Sequence, residues 1–157
     1  MNIKMYKIED LKPAYYNPRY ISEEQFKGLK TSISTFGLVD PIVHNVQTGN
    51  IVSGHMRLRA CMALGWVQVP VCEVDLSLEK EKMLNITMNN AEIQGRFDMS
   101  ILPVLMDELE SCAPTEFKEL RLADLEDSLK DAAPRGRKKT KKLHTCPNCG
   151  NKFEDDI

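Results

Sequence analysis

The sequence lacks the features that would place a chain in a membrane or outside the cell. No apolar run reaches the roughly 18 residues that a transmembrane helix needs. The opening segment, MNIKMYKIED, has no apolar stretch of the kind that a secretory signal carries. Cysteine is scarce and odd in number, with five residues, which argues against a disulfide framework. These absences predict a cytoplasmic protein with reduced thiols and no membrane contact.

Charge is distributed unevenly along the chain, although the net charge is only −2. Residues 134–157 carry a balance of +4, so residues 1–133 carry −6. Six basic side chains are concentrated in eight positions: Arg135, Arg137, Lys138, Lys139, Lys141 and Lys142. A basic tail on an acidic body is typical of proteins that contact nucleic-acid phosphates, and a solvated linker has the same composition.

Hydrophobic spacing and turn residues predict an α+β domain, with a small mixed sheet and packed helices. A capping box of Ser22 with Gln25 starts one helix, and Gly37 ends it. In chain order, the predicted elements are a strand in KMYKIEDL, a proline-interrupted loop, the Ser22 helix, a hairpin of DPIVHNV and IVSG, a helix ending at Gly65, a strand in WVQVPVCEVD and a helix capped by Ser77.

Several details of these elements follow from the pattern. Pro13 and Pro18 exclude regular structure from the loop between the first strand and the first helix. His44 is expected to be an exposed residue of a hairpin strand. The helix that ends at Gly65 is expected to pack through Met56, Ala60, Ala63 and Leu64.

A helical extension is expected after the sheet domain. One helix should begin at Asp98 or Ser100 and run to about Glu110, with Pro103 in its first turn. A last helix should begin at Thr115 and end before Pro134. The predicted organisation is a domain at residues 1–98, a helical extension at 99–133, a basic linker at 134–143 and a cysteine-containing tail at 144–157.

The segment from Ile51 to Ala60 contains the strongest candidate for a binding site. A buried strand enters a Ser53-Gly54 corner, and a helix begins directly after it. The first turn of a helix has unpaired N–H groups and a positive dipole end, and Gly54 lets the backbone approach a ligand closely. Arg57 and Arg59 lie two residues apart and therefore splay, so each reaches a different place. The pattern indicates a phosphate site, although strand–glycine–helix turns also serve purely structural roles.

Three motifs in order resemble the ParB/sulfiredoxin superfamily over roughly residues 4–110. SGHMRLRACMALGWVQVPV is similar to the box GERRxRAAxxAGxxxVPV of that family. LKPAYYNPRYISEEQFKGLKTSISTFGLVDPIVH resembles its "NPR" loop, glycine-ended helix and "QPI"-like strand. NNAEIQGRFDMS looks like the third motif, and most like the "IQGxWD" form of phage and DNA-methylase-associated members.

The resemblance implies a nucleoside triphosphate, CTP or ATP, bound with Mg²⁺. Three departures weaken the match, because His55 replaces a glutamate, Met56 an arginine and Ile93 an asparagine. His55 also stands where sulfiredoxin has its catalytic cysteine, which argues against reductase chemistry. The implied nucleotide-binding residues are Asn17, Arg19, Ser53, Gly54, His55, Arg57, Arg59, Glu92 and Arg96.

Three functions are compatible with these motifs. The first is a nucleotide-binding module of a phage or mobile element, which would be DNA-associated or regulatory and could form a homodimer. The second is an enzyme using the same pocket, such as a weak nucleoside triphosphatase, a phosphotransferase or a nuclease, with His55, Glu92 and Asp98 as acid–base candidates but no complete catalytic set. The third is a non-catalytic adaptor for a DNA methyltransferase or a packaging protein. Residues 99–133 are too short for the DNA-reading domain of full partition proteins, so DNA contact should be sequence-independent.

The tail contains a CPxCG pattern that is typical of a zinc knuckle. Cys146 and Cys149 have the spacing that lets two thiolates reach one tetrahedral ion, and Gly150 permits the turn. A structural zinc site needs four ligands. The remaining ligands could come from His144, from the distant Cys61, Cys72 or Cys112, from a second copy of the chain or from a partner protein, and a degenerate knuckle would hold no metal.

Overall fold

The computed structural model describes residues 3–132, 143–145 and 152–154. Its strands are β1 (Ile3–Lys7), β2 (Lys12–Pro13), β3 (Ile42–Asn45), β4 (Asn50–Ser53), β5 (Gln68–Val74), β6 (Leu143–Thr145) and β7 (Lys152–Glu154). Its helices are α1 (Glu23–Phe36), α2 (His55–Ala63), α3 (Leu78–Thr87), α4 (Leu102–Cys112), α5 (Pro114–Glu119) and α6 (Leu122–Ala132), with a 3-10 turn at Ile8–Asp10.

Five strands form one mixed sheet in the order β1-β5-β3-β4-β2. β1 pairs with β5, and β3 with β4, in antiparallel fashion. β3 pairs with β5, and β2 with β4, in parallel fashion. The α+β class with packed helices and the β3–β4 hairpin are therefore confirmed. The short β2 corrects the expectation that Pro13 excludes regular structure, because a proline is tolerated in an edge strand.

The core lies between the sheet and helices α1 and α2. Ile42, Ile51, Val69 and Val71 on three strands have no exposed surface. Facing them are the buried helix residues Phe26, Ile33, Leu58, Ala60 and Cys61. Burying apolar side chains from both layers is the main force that seats α2 against the sheet.

Two expectations about burial are corrected. Of the predicted inner face of α2, Ala60 is buried and Leu64 packs against the core as expected, whereas Ala63 is exposed. The helix also packs through Leu58 and Cys61, which its start at His55 turns toward the sheet. His44 is buried, with only 8% of its surface exposed. The reason is that β3 lies between β5 and β4 and is covered along its whole length.

The ends of α1 are as predicted. The Ser22 side chain accepts a hydrogen bond from the Gln25 backbone, and the Gln25 side chain accepts one from the Ser22 backbone, which completes the capping box. The Gly37 N–H donates to the carbonyl oxygen of Ile33 and closes the last turn. α3 begins after Ser77 as expected but ends at Thr87, earlier than the pattern indicated.

The helical extension is present, with one break more than predicted. α4 carries Pro103 near its start, as expected. The last predicted helix is two helices, α5 and α6, separated at Arg121, whose φ of 60° is incompatible with a continuous right-handed helix. Within the described residues, no helix is long and apolar enough to cross a membrane.

The chain divides into two units, Met1–Asp124 and Leu125–Ile157. The second contains the antiparallel pair β6–β7, in which His144 lies opposite Phe153. The predicted zinc ligands Cys146 and Cys149 and the predicted nucleic-acid-binding residues of the basic segment lie outside the described residues.

Candidate functional site

A cleft of about 470 Å³ opens where β4 ends and α2 begins. Its volume falls in the range of sites that hold small ligands. The walls come from the loop after β2, from α1, from the β4–α2 corner and from α3. The lining residues include six of the nine predicted nucleotide-binding residues: Asn17, Arg19, Ser53, Gly54, His55 and Arg57.

The corner of the cleft requires glycine. Gly54 has a φ of 94°, which side chains rarely adopt, and a Cβ there would lie 2.8 Å from Cδ1 of the fully buried Ile42. The first helical bond of α2 is donated by Leu58 to the Gly54 carbonyl at 2.8 Å. Within the described residues, the three preceding backbone N–H groups, those of residues 55–57, have no hydrogen-bond acceptor, and no side chain caps the helix. The corner therefore presents unpaired donors and the positive end of a helix dipole.

Arg57 adds a partly buried positive charge beside these donors. Its guanidinium pairs with Asp40 and donates to the Pro41 carbonyl at 3.4 Å. Its Nε is buried and has no partner among the described residues. Burial lowers the pKa of Arg57, and the nearby charge of Arg19 acts in the same direction. An anion bound at the cleft would offset both effects on the pKa, because its charge stabilises the charged guanidinium.

Arg19 approaches the cleft from the opposite wall. Its guanidinium donates to the side-chain oxygen of Asn89 at the end of α3. Arg19 is exposed, and this contact holds its charge beside the cleft. Two guanidiniums at one cleft favour a ligand with more than one negative charge.

His55 is half-buried at the first position of α2. Its Nε2 accepts a hydrogen bond from the Ala14 backbone at 3.2 Å, which places the proton of the neutral ring on Nδ1. Burial lowers the pKa of His55 below its ordinary value of 6.5. At neutral pH this side chain is therefore an uncharged ring that ties the loop after β2 to the start of α2.

Asn85 is a cleft residue that the sequence did not reveal. Its side chain is almost completely buried, and its Nδ2 donates to the Val52 carbonyl at 2.7 Å. The carbonyl partner fixes which end of the amide is the nitrogen, so Oδ1 is the atom without a partner among the described residues. Asn85 and Asn89 both line the cleft and lie four residues apart. That spacing on α3 was the available signal, but helical asparagines normally face solvent.

Three predicted residues lie outside the lining of the cleft. Arg59 pairs with Glu23 at 3.8 Å and stacks over the Phe26 ring, with 4.6 Å between guanidinium carbon and ring centre. Glu92 and Arg96 are exposed in the segment after α3. Within the described residues, no group of three histidine, cysteine or acidic side chains could hold a metal ion.

The fold and the cleft define an α+β domain with an anion-favouring pocket at a strand-to-helix turn. Residues 1–91 match the model of the ParB N-terminal domain. The chain therefore belongs to the ParB N-terminal domain family.

Curated relatives agree with this family. The chain is 36% identical over 76 residues to the nucleoid occlusion protein of Oceanobacillus iheyensis, a match that covers 45% of this chain and 27% of the relative. It is 32% identical over 75 residues to the ParB-like nuclease domain-containing protein YnaK of Escherichia coli, covering 48% of this chain and 85% of YnaK. The chain thus spans about a quarter of the length of the nucleoid occlusion protein and most of YnaK.

Solved structures share the fold. The chromosome-partitioning protein ParB of Caulobacter crescentus, truncated at its C-terminus and complexed with CTP-gamma-S, superposes with a TM-score of 0.61 at 24% identity, over 76% of this chain and 71% of that one. A Pnob8-like ParB N-domain gives a TM-score of 0.50 at 16% identity, over 98% of this chain and 56% of that one.

Proposed function

We propose that this chain is a nucleoside-triphosphate-binding module whose cleft holds the phosphates at the Gly54 turn. The observation that carries the proposal is the convergence of unsatisfied donors on one cavity. The backbone N–H groups at the start of α2 and the buried Nε of Arg57 lack acceptors among the described residues, and Arg19 adds a second cation. Phosphate oxygens are the acceptors that suit such a set.

CTP is the first candidate ligand, and ATP the alternative. The Caulobacter relative is complexed with CTP-gamma-S, which supports cytidine. Mg²⁺ would enter with the phosphates, since Mg²⁺ is usually held by one or two carboxylates together with phosphate oxygens. Asp40, which lines the cleft and is largely exposed, is the nearest carboxylate for this role.

Isothermal titration calorimetry of the full chain with CTP, ATP, GTP and UTP, each with Mg²⁺, tests the proposal. We expect one nucleotide to bind, and Arg57→Ala to weaken it by about tenfold or more, since a charge-assisted hydrogen bond contributes roughly 1.5–3 kcal/mol. Lys80→Ala is the matched control, because Lys80 is an exposed cation on α3 outside the cleft. If none of the four nucleotides gives a binding heat at millimolar concentration, the proposal is refuted.

The same titration tests whether the three predicted residues that lie outside the cleft take part in nucleotide binding. If Arg59→Ala, Glu92→Gln and Arg96→Ala bind as the unmodified chain does, these residues have no part in the site. A loss comparable with that of Arg57→Ala would instead mean that the segment after α3 folds over the bound nucleotide.

We further propose that the basic segment contacts DNA phosphates without sequence specificity. Replacing Arg135, Arg137, Lys138, Lys139, Lys141 and Lys142 by glutamine should remove DNA binding and its salt dependence. DNA binding that survives the replacement, or that varies with sequence, would contradict this assignment. Cys146 and Cys149 remain the proposed zinc ligands, with metal content of the reduced protein as their test.

A nuclease or nucleotide-hydrolysing activity is the second candidate, because YnaK, most of whose length this chain spans, is named for a nuclease domain. His55 lines the cleft as a neutral ring, and it could accept a proton at Nε2 once that nitrogen releases the Ala14 N–H. Release of phosphate or cleavage of DNA that is unchanged in His55→Ala would exclude this residue from the chemistry. Nucleotide binding without turnover would favour the nucleotide-binding module, or an adaptor of the phage and methylase-associated type. Either of these could act as a homodimer.

A further inference from the structure

The loop between β2 and α1 is joined to α3 by three side-chain contacts in register. The Tyr16 hydroxyl donates to Oε1 of Glu81 at 2.5 Å, Nδ2 of Asn85 lies 3.5 Å from Oδ1 of Asn17, and Arg19 donates to Asn89. The partners Glu81 and Asn85 lie one turn apart on α3, and Asn89 follows four residues later, two residues beyond the end of the helix. Two of the loop residues and two of the helix residues in this row line the cleft.

The innermost of these contacts ends on a carboxylate that no solvent reaches. Glu81 has 0% of its surface exposed. Besides Tyr16, it accepts hydrogen bonds from Asn45 at the end of β3, from Thr48 in the hairpin turn and from Asn50 at the start of β4. Within the described residues, no basic side chain pairs with it.

Burying a carboxylate without a neighbouring cation costs folding free energy, because the charge loses its hydration. Its negative charge is tolerated only because donors surround it, and an apolar side chain of similar volume would pack at least as well. Burial raises the pKa of Glu81, but the four hydrogen bonds outweigh burial and hold the pKa below its ordinary value. The carboxylate instead fixes the relative positions of three segments, because its two oxygens hold the loop, the hairpin and α3 at one point.

We propose that Glu81 is a positioning residue of the cleft, acting through Tyr16 to hold Asn17 and Arg19 in place against α3. The inference rests on the proposed function for its effect on nucleotide binding, although the ordering of the loop can be measured without a ligand. Glu81 itself does not touch the cleft, since it is absent from its lining.

Two substitutions on the same carboxylate separate positioning from simple stability. Tyr16→Phe removes the hydroxyl that reaches Oε1 but keeps the ring, over which the Lys82 ammonium lies at 5.5 Å. Thr48→Val removes a hydroxyl that reaches Oε2 from the hairpin turn, which is not part of the cleft wall. Each variant loses one donor to Glu81, so both should be less stable in urea denaturation.

The readouts are amide hydrogen exchange of residues 14–20 and nucleotide affinity, both in the full chain. Tyr16→Phe should speed exchange of the Asn17 amide, which donates to the Ala14 carbonyl, and weaken nucleotide binding, each by about tenfold. Thr48→Val should leave both within about twofold of the unmodified chain, because Thr48 ties Glu81 to the hairpin turn and not to the loop that carries Asn17 and Arg19.

Equal effects of the two variants on exchange, or no effect of Tyr16→Phe, would overturn the positioning role. If the unmodified chain binds no nucleotide but exchange responds as expected, the proposed function fails while the positioning role stands. If nucleotide binds and neither variant alters exchange or affinity, the positioning role fails and the proposed function stands.

Discussion

At the scale of single residues, the cleft is built from groups that lack partners. The backbone N–H groups at the start of α2, Nε of Arg57 and Oδ1 of Asn85 are polar and short of acceptors or donors among the described residues. Leaving buried polar atoms unpaired lowers stability, and natural proteins concentrate such atoms at functional sites. The charge of Arg19 also favours an anion at the cleft, because it lowers the pKa of Arg57, which pairs with Asp40.

The titration of His55 reports directly on this environment. Because burial holds its pKa below 6.5, the unfolded chain takes up the proton first as pH falls. His55 therefore contributes stability that is present above about pH 6.5 and is lost as the pH falls through the lowered pKa. Nuclear magnetic resonance of the imidazole protons should show this low midpoint, and nucleotide should raise it, since phosphate charge favours the protonated ring.

His55→Asn assigns the signal among the three histidines of the chain. A midpoint at or above the ordinary value in the free protein would contradict the burial of the ring. A midpoint that nucleotide leaves unchanged would place the phosphates away from the start of α2.

At the scale of elements, α3 is the wall of the cleft whose buried side chains are hardest to predict from sequence patterns. Its average composition is polar, and its contacts with the rest of the domain include a row of polar residues, Glu81, Asn85 and Asn89, at helical spacing. Sequence reasoning treats such residues as solvent-facing, because buried charges are rare. Only the fold brings four donors to Glu81, since one comes from the loop after β2 and three come from the β3–β4 hairpin.

Glu81→Gln should destabilise the chain by about 1–3 kcal/mol at pH 7, because the amide nitrogen of glutamine would face donors instead of accepting from them. The lowered pKa of Glu81 means that its contribution to stability is present above about pH 4.5 and is lost as the pH falls through the folded-state pKa. The difference in the free energy of unfolding between variant and unmodified chain should therefore stay constant from pH 7 to about pH 4.5 and shrink as the pH falls below that in urea titrations. A difference that stays constant with pH would mean that Glu81 is not ionised in the folded protein.

At the scale of the whole molecule, the order of elements follows from sequence where periodicity and capping agree. α1, the β3–β4 hairpin and the Gly54 turn were predicted because each has a local cause, a capping box, a turn or a required glycine. The break at Arg121 could not be predicted, because a left-handed arginine has no sequence pattern of its own. The burial of His44 depends on the strand order, which places β3 between two neighbours, and strand order is a property of the complete fold.

The residues of the candidate site likewise fall into those that local sequence predicts and those that only the complete fold brings to the cleft. Gly54, His55 and Arg57 were predicted, because a strand, a glycine and a helix start are contiguous in sequence. Asn85 and Asn89, which line the cleft, were not predicted, because which residues on and after α3 face the cleft depends on how that helix is tied to the loop after β2. Contacts between segments nearly 70 residues apart decide that arrangement.

The most direct test of the nucleotide site maps the contact on the protein itself. The ¹⁵N-labelled full chain is titrated with CTP and Mg²⁺ while the backbone and side-chain amide resonances are followed. We expect saturable shifts of the backbone amides of residues 55–57, of the Arg19 guanidinium and of the Asn85 side-chain amide. No shift at millimolar nucleotide, or shifts confined to residues 92–98 with the α2 start unaffected, would contradict this expectation.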